Sequence, residues 1–189
     1  MRFREENKNT KEFWKDKHGK KQNAGVSAQF QRFFNWIPTD KEVSVLDIGF
    51  GDADHFKDFS SYPIAWNGLD FVEECINKAK AVCSTATYHL VDMNTEEIPG
   101  VYDYVVSMHT FEHFEDPVAA LQKCLDACRG KVIICVPYKD AWGNSAGHMH
   151  KFYLDDPFTD YIEYRLFTGG SEAPEETAKE IFYVFDGRA

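Results

Sequence analysis

The stretch that most limits the possible folds is VSVLDIGFG at residues 43–51, an apolar run broken by a single aspartate that stops at two glycines. A strand that reads as continuously apolar has apolar neighbours on both faces, as in a parallel sheet covered by helices on both sides. Similar runs recur along the chain. AWNGLDF (65–71), TYHLVDM (87–93), YDYVVSMHTF (102–111) and KVIICVPY (131–138) read as four further strands. EECINKAKAVC (73–83) and DPVAALQKCLDAC (116–128) read as helices between them, the second with Pro117 in its first turn. Another helix is expected from about Asp54, and residues 13–14 and 30–36 suggest amphipathic helical segments closed by Pro38. Near the end, TDYIEYRLFTGG (159–170) and KEIFYVFDG (179–187) alternate without a full crossover helix between them, which predicts a final antiparallel pair. The expected fold is α/β, a doubly wound sheet of seven mostly parallel strands with an antiparallel C-terminal strand.

With 189 residues and no repeat or linker, the chain suits a single domain. It has no run near the roughly 18 apolar residues of a membrane helix. Residues 1–22 are charged throughout and lack the apolar stretch of a signal peptide, so a cytoplasmic location is expected. Five cysteines without regular spacing fit buried thiols in a reducing compartment, and Cys124 and Cys128, four apart on a helix, fit core packing. A net charge of -10 argues against nucleic acid as a partner, because Lys and Arg supply most of such affinity. The one basic cluster, Lys15, Lys17, Lys20 and Lys21, reads as a solvated helix face.

In a doubly wound sheet the ligand lies beyond the carboxyl ends of the strands, where strand order reverses. Gly49 and Gly51 fall there, suited to a tight turn and close approach of backbone to ligand. The dinucleotide fingerprint needs a third glycine at position 54, but the residue is Asp54, with Asp52 beside it. Two carboxylates repel pyrophosphate, although either could simply cap the helix. Asp70 follows Gly49 by 70 − 49 = 21 residues, near the spacing at which a carboxylate accepts from both ribose hydroxyls. Asp92 ends the third strand and could accept from an adenine amine, with Phe71, Val72 and Met93 offering apolar faces. Each acid alone reads as a solvated loop residue. Their placement at consecutive strand ends points to a cationic, phosphate-free nucleoside ligand.

VLDIGFGDA resembles the first motif of class I S-adenosylmethionine-dependent methyltransferases, GLDFVEECINKAK their second strand and helix, and VDM their adenine-contacting turn. VVSMHTFEHFEDP (105–117) is similar to the segment after strand four in the small-molecule, ubiquinone-biosynthesis type, with Glu112, His113, Asp116 and Pro117 in its E-H-x-x-D-P string. The resemblance spans residues 43–138 and implies a Rossmann-like fold and S-adenosylmethionine as cofactor. It assigns Gly49, Phe50 and Gly51 to the methionine end, Asp70 to the ribose, Asp92 with Met93 to the adenine, and Ser107 and Met108 to the floor beneath the sulfonium; Asp47 and Phe71 are expected at the cofactor site as well. Ala53, where the family has a small glycine, and the bulky Phe50 depart from the pattern. The implied layout is a single methyltransferase domain, 1–189, with a helical cap or lid at 1–40, a cofactor core at 43–138, and an acceptor-side loop and final strands at 139–189.

The implied reaction is methyl transfer to a small-molecule acceptor, a hydroxyl of a metabolite or sugar, by in-line attack. Candidate bases are His109 and His113 after strand four and His148 and His150 in GHMHKFY, because imidazole titrates near neutrality. Each has a plain alternative role in holding its loop. The same four histidines allow a rival reading as a metal-dependent enzyme, although no accompanying cluster of acids or thiols stands at ligand spacing, so no metal is assigned. A third reading is a partner protein that binds the cofactor without catalysis. CVPY (135–138) superficially matches a motif of amino methyltransferases acting on DNA, but it ends strand five rather than strand four. The aromatics Phe13, Trp14, Phe33, Phe34 and Trp36 are expected either to form part of a lid or to cover the sheet as core. Oligomeric state is not legible.

Overall fold

The structure, a computed structural model, describes residues 9–18, 29–51, 53–139 and 147–189. Expectations at Lys20, Lys21 and Asp52 lie outside the described residues. Among the described residues eight strands form one sheet: β1 Val43–Ile48, β2 Ile64–Asp70, β3 Thr87–Leu90, β4 Tyr102–Met108, β5 Cys128–Pro137, β6 Glu163–Thr168, β7 Ser171–Glu172 and β8 Glu180–Asp186. Their order is β3-β2-β1-β4-β5-β8-β6-β7. The first five are parallel; β8 is antiparallel to both β5 and β6, and the short β7 is antiparallel to β6. One more strand is present than the seven expected. Gly169 and Gly170, at φ +55° and +99°, make a two-residue turn that folds Ser171–Glu172 back onto β6.

Helices α1 Lys11–His18, α2 Asp54–Asp58, α3 Glu73–Val82 and α4 Pro117–Asp126 accompany the sheet. Asp116 caps α4, accepting from the amides of Val118 and Ala119. The cap residue of α2 is Ala53, and among the described residues no side chain caps the helix, so Asp54 takes the first helical position instead of the cap. Ser60, Ser61 and Pro63 follow α2 closely, which accounts for its five residues. Residues 31–35 form a 3-10 turn rather than an α-helix.

Alternating side chains feed two separate cores. On β5, Val132, Ile134 and Val136 face a layer with Leu121, Cys124 and Phe158, while Ile133 and Cys135 face a layer with Phe33, Phe56 and Phe182. Cys124 and Cys128 pack in the first layer, and all five cysteines are buried free thiols. Phe30 and Phe33 are fully buried, Phe30 stacked on His55 and Phe33 edge-on to Phe182. They are core, and burying each contributes about 2 kcal/mol. Among the described residues no helix is long and apolar enough to cross a membrane.

Candidate functional site

Strand order reverses between β1 and β4, and the two leave the sheet in register with β2: Ile48 pairs with Leu69 and Ser107. A cavity of about 550 Å³ opens over these ends. It is large enough for a substantial small molecule.

One end is built from turns. Gly49 sits at φ +70°, and a Cβ there would lie 2.3 Å from the Thr110 hydroxyl. Its missing side chain therefore makes room for the loop leaving β4, a neighbour that the motif alone does not reveal. Gly51 also has a positive φ, and Ala53 adopts φ +56°, the left-handed conformation in which a glycine is relaxed and an alanine strained. Phe50 is buried against Phe56 and Tyr88, and its ring lies where a Cβ on Gly68 would be, 2.6 Å from the nearest ring atom. Gly68 on β2 is thus what accommodates the bulky side chain.

Asp47 and Asp70 are buried on this side. Asp47 Oδ2 lies 2.7 Å from His55 Nε2; burial raises the Asp47 pKa and the His55 contact opposes that rise. Burial pushes Asp70 up to about 6 against the amides of Val72, Gly51 and Phe71, which favour its charge. Asp92 and Met93 line the cavity from the turn after β3, which ends three residues earlier than expected; Asp92 Oδ1 accepts from the Asn94 amide at 3.0 Å. Phe71 and Met108 also line it. Ser107 does not: its hydroxyl donates to the Ile48 carbonyl at 3.0 Å, behind the cavity wall.

The opposite end is a wall of ionisable groups. His109, at φ +54°, terminates β4 and places Nε2 3.0 Å from Glu180 Oε1 and Nδ1 3.6 Å from Glu112 Oε1. Burial disfavours its charge, but Glu112 and Glu180 outweigh that and raise its pKa to about 10. Glu180 also pairs with buried Arg32, so a chain of charges runs from the N-terminal segment through β8 to the cavity. Burial opposes the Glu112 charge, yet the nearby His109, with His113 and His148, draws its pKa down. His113 is held the other way, lowered to about 4 chiefly by burial. His113 Nδ1 donates to the Gly147 carbonyl at 2.9 Å, and Trp14 packs edge-on against its ring. His148 lines the cavity, whereas His150 does not; its Nε2 lies 3.3 Å from the Glu115 carbonyl. Trp14 and Lys17 of α1 complete this end.

Sequence reasoning missed His55, Thr110 and Glu180. His55 stands only four residues past Gly51, but nothing local announces its pairing with Asp47. Glu180 is 71 residues from His109 and reaches it only because β8 inserts beside β5.

A methyltransferase-domain family model matches residues 16–172, most of the chain. The chain belongs to the class I S-adenosylmethionine-dependent methyltransferases. Its cofactor is S-adenosylmethionine, and the site fits that group: a buried carboxylate ends β2, and Lys17 at the far end is the one Lys or Arg among the described lining residues, so no cradle of cations awaits a phosphate. Among curated proteins there is no significant sequence match. The fold is similar to magnesium protoporphyrin IX methyltransferase from Synechocystis PCC 6803, at 14% identity and TM-score 0.64, with 93% of each chain covered. It is also similar to the N-methyltransferase NodS from Bradyrhizobium japonicum WM9, at 15% identity and TM-score 0.63, covering 87% of this chain and 86% of that one. A third likeness is the [4+2]-cyclase SpnF, at 15% identity and TM-score 0.57, covering 67% of this chain. The chain spans 56%, 39% and 52% of the length of SpnF and two other solved matches, taken with SpnF last. At such identities the likeness establishes the fold, and SpnF illustrates that one fold hosts different reactions.

Proposed function

We propose that the protein transfers the methyl group of S-adenosylmethionine to a hydroxyl of a small metabolite or sugar. The observation carrying this is that one continuous cavity joins the acid-lined turns of β1, β2 and β3 to the wall of His109, Glu112, His113 and His148. The cofactor, when bound, supplies an electrophilic methyl on a sulfonium. Asp70 accepts from the ribose hydroxyls, Asp92 with Met93 and Phe71 holds the adenine, and Gly49, Phe50 and Gly51 with Asp47 border the methionine end. Met108 lies below the reacting centre; Ser107 supports the floor by fixing β4 to β1.

The chain's own contribution is to align acceptor, methyl and sulfur and to keep water out. The acceptor hydroxyl lies against the histidine wall, where His113 or His148 receives its proton while His109, held protonated by Glu112 and Glu180, cannot, and His150 holds the loop that carries His148. Trp14 and Lys17 support the reading of α1 as part of a lid. The negative charge favours a small acceptor over nucleic acid. The free cysteines suit a cytoplasmic setting.

The test is incubation with methyl-labelled S-adenosylmethionine and a fractionated metabolite extract. Label is expected in small molecules as an alkali-stable ether, at a rate reduced in His148→Ala. Label confined to protein or RNA, or no transfer with any fraction, would overturn the reading.

A further inference from the structure

The wall contains a carboxylate for which methyl transfer alone gives no account. Glu112 is 1% exposed, and among the described residues neither carboxylate oxygen has a hydrogen-bond partner. A buried carboxylate left so is costly, on the order of several kcal/mol. His109 supplies one nearby positive charge, but its Nδ1 is 3.6 Å from Glu112 Oε1 while its Nε2 is closer to Glu180.

Two further imidazoles converge on the same oxygen. His113 Nε2 lies 3.9 Å and His148 Nε2 3.8 Å from Glu112 Oε1, and one ligand atom from each of the three residues fits within a 4.8 Å circle of separations. These spacings are too long for hydrogen bonds. They approach the roughly 3.4 Å that separates two ligands each about 2.1 Å from one tetrahedral ion. The His113 ring is preset for this role: Nδ1 donates to the Gly147 carbonyl, so Nε2 carries the free lone pair and points toward Glu112. Such a backbone carbonyl behind a ligating histidine fixes tautomer and ring orientation. The carbonyl is itself held, because Asn9 Nδ2 donates to it and to the His113 carbonyl. Gly147 allows the approach, since a Cβ there would come within 2.7 Å of Asn9 Oδ1 and 3.1 Å of His113 Nδ1. The Glu112 carbonyl accepts from the Met149 amide at 2.7 Å, tying the two ligand-bearing segments together.

We infer that Glu112, His113 and His148 form a divalent cation site at the acceptor end of the cavity. Two imidazoles and one carboxylate suit Mn²⁺, Fe²⁺, Co²⁺ or Zn²⁺ better than Mg²⁺ or Ca²⁺, which take oxygen ligands. All three residues line the cavity, so the remaining coordination positions face it. Those positions can take an oxygen of the acceptor, a role that rests on the methyltransferase reading; the ion site itself does not.

The test uses metal-stripped, full-length protein titrated with Co²⁺. A one-to-one complex with visible ligand-field absorption, displaced by Zn²⁺, is expected. Glu112→Gln and, at the more accessible position, His148→Asn should each weaken Co²⁺ binding by at least about 100-fold, whereas Asp92→Asn should not. Binding of S-adenosylhomocysteine, measured on the same stripped samples, reports the cofactor site separately. No saturable Co²⁺ binding by the wild type, or binding unchanged in both ligand variants, would overturn the site even with S-adenosylhomocysteine binding intact.

Discussion

The two ends of the cavity are made by different means. The end at β1, β2 and β3 is shaped by backbone: positive φ at Gly49 and Gly51, a carboxylate at a strand end, amides turned toward Asp70. The end at β4 is shaped by charge, with Glu112, His109, Glu180 and Arg32 drawn from three distant parts of the chain. The first is set by residues close in sequence and can be complete before any ligand arrives. The second keeps a buried carboxylate that has no hydrogen bond among the described residues and a histidine in the left-handed region, both unfavourable for folding and both facing the cavity. On the proposed function, the end that binds the cofactor and the end that faces the acceptor differ in this way.

The largest effects should separate the ends by what they disturb. Asp70→Ala is expected to weaken S-adenosylhomocysteine binding on the order of 100-fold, the loss of two hydrogen bonds to a charged group. Glu112→Gln should leave that affinity within about twofold and lower kcat on the order of 100-fold, as for loss of the cation that would hold the acceptor. Calorimetry and initial rates on both variants check this; equal losses of cofactor affinity would erase the distinction.

Gly49→Ala should come next, destabilising by about 2 kcal/mol or more through both its φ and the Thr110 contact. Thermal melts of Gly49→Ala with and without Thr110→Ala sharpen the assignment. Partial recovery in the double variant is expected, because only the steric part is relieved. No recovery would mean that the loop leaving β4 is not what requires the glycine.

Asp70 also predicts a pH dependence. Its pKa is raised to about 6 in the fold against an ordinary value near 4, so the native state favours the protonated form. Its contribution to stability is present in full below about pH 4 and is lost as pH rises through about 6, an amount of about 3 kcal/mol. Comparing unfolding of the wild type and Asp70→Asn across that window measures it. Cofactor binding runs in the opposite sense. The ribose needs the carboxylate, so affinity should fall about tenfold per pH unit below 6 and be flat above 7.

The smallest effect is Ala53→Gly. Relief of the left-handed strain is about 1 kcal/mol, partly offset by the greater freedom of glycine in the unfolded chain. A melt shifted by a few degrees at most is expected, and a large loss would mean that the Ala53 methyl packs something the turn needs.

The contrast also explains what was legible beforehand. Strands β1 to β5, the Gly49 turn, Asp70 and Asp92 follow from local pattern, because apolar runs, turn glycines and strand-end acids act on near neighbours. Glu180, Arg32 and Thr110 were not legible, since each acquires its partner through sheet order or a loop crossing rather than through spacing. Phe50, an apparent departure from pattern, becomes intelligible only beside Gly68 on the neighbouring strand. The aromatics divided likewise. Phe33 closes the core, whereas Trp14 reaches the cavity, so testing a lid calls for Trp14→Ala rather than removal of residues 1–36, which would strip the core as well.

The most direct measurement is calorimetric titration of the purified protein with S-adenosylhomocysteine and, separately, with NAD, repeated on Asp70→Ala. Tight binding of S-adenosylhomocysteine, no binding of NAD, and loss of the former in the variant are predicted. Binding of NAD, or S-adenosylhomocysteine affinity unchanged by Asp70→Ala, would contradict the account.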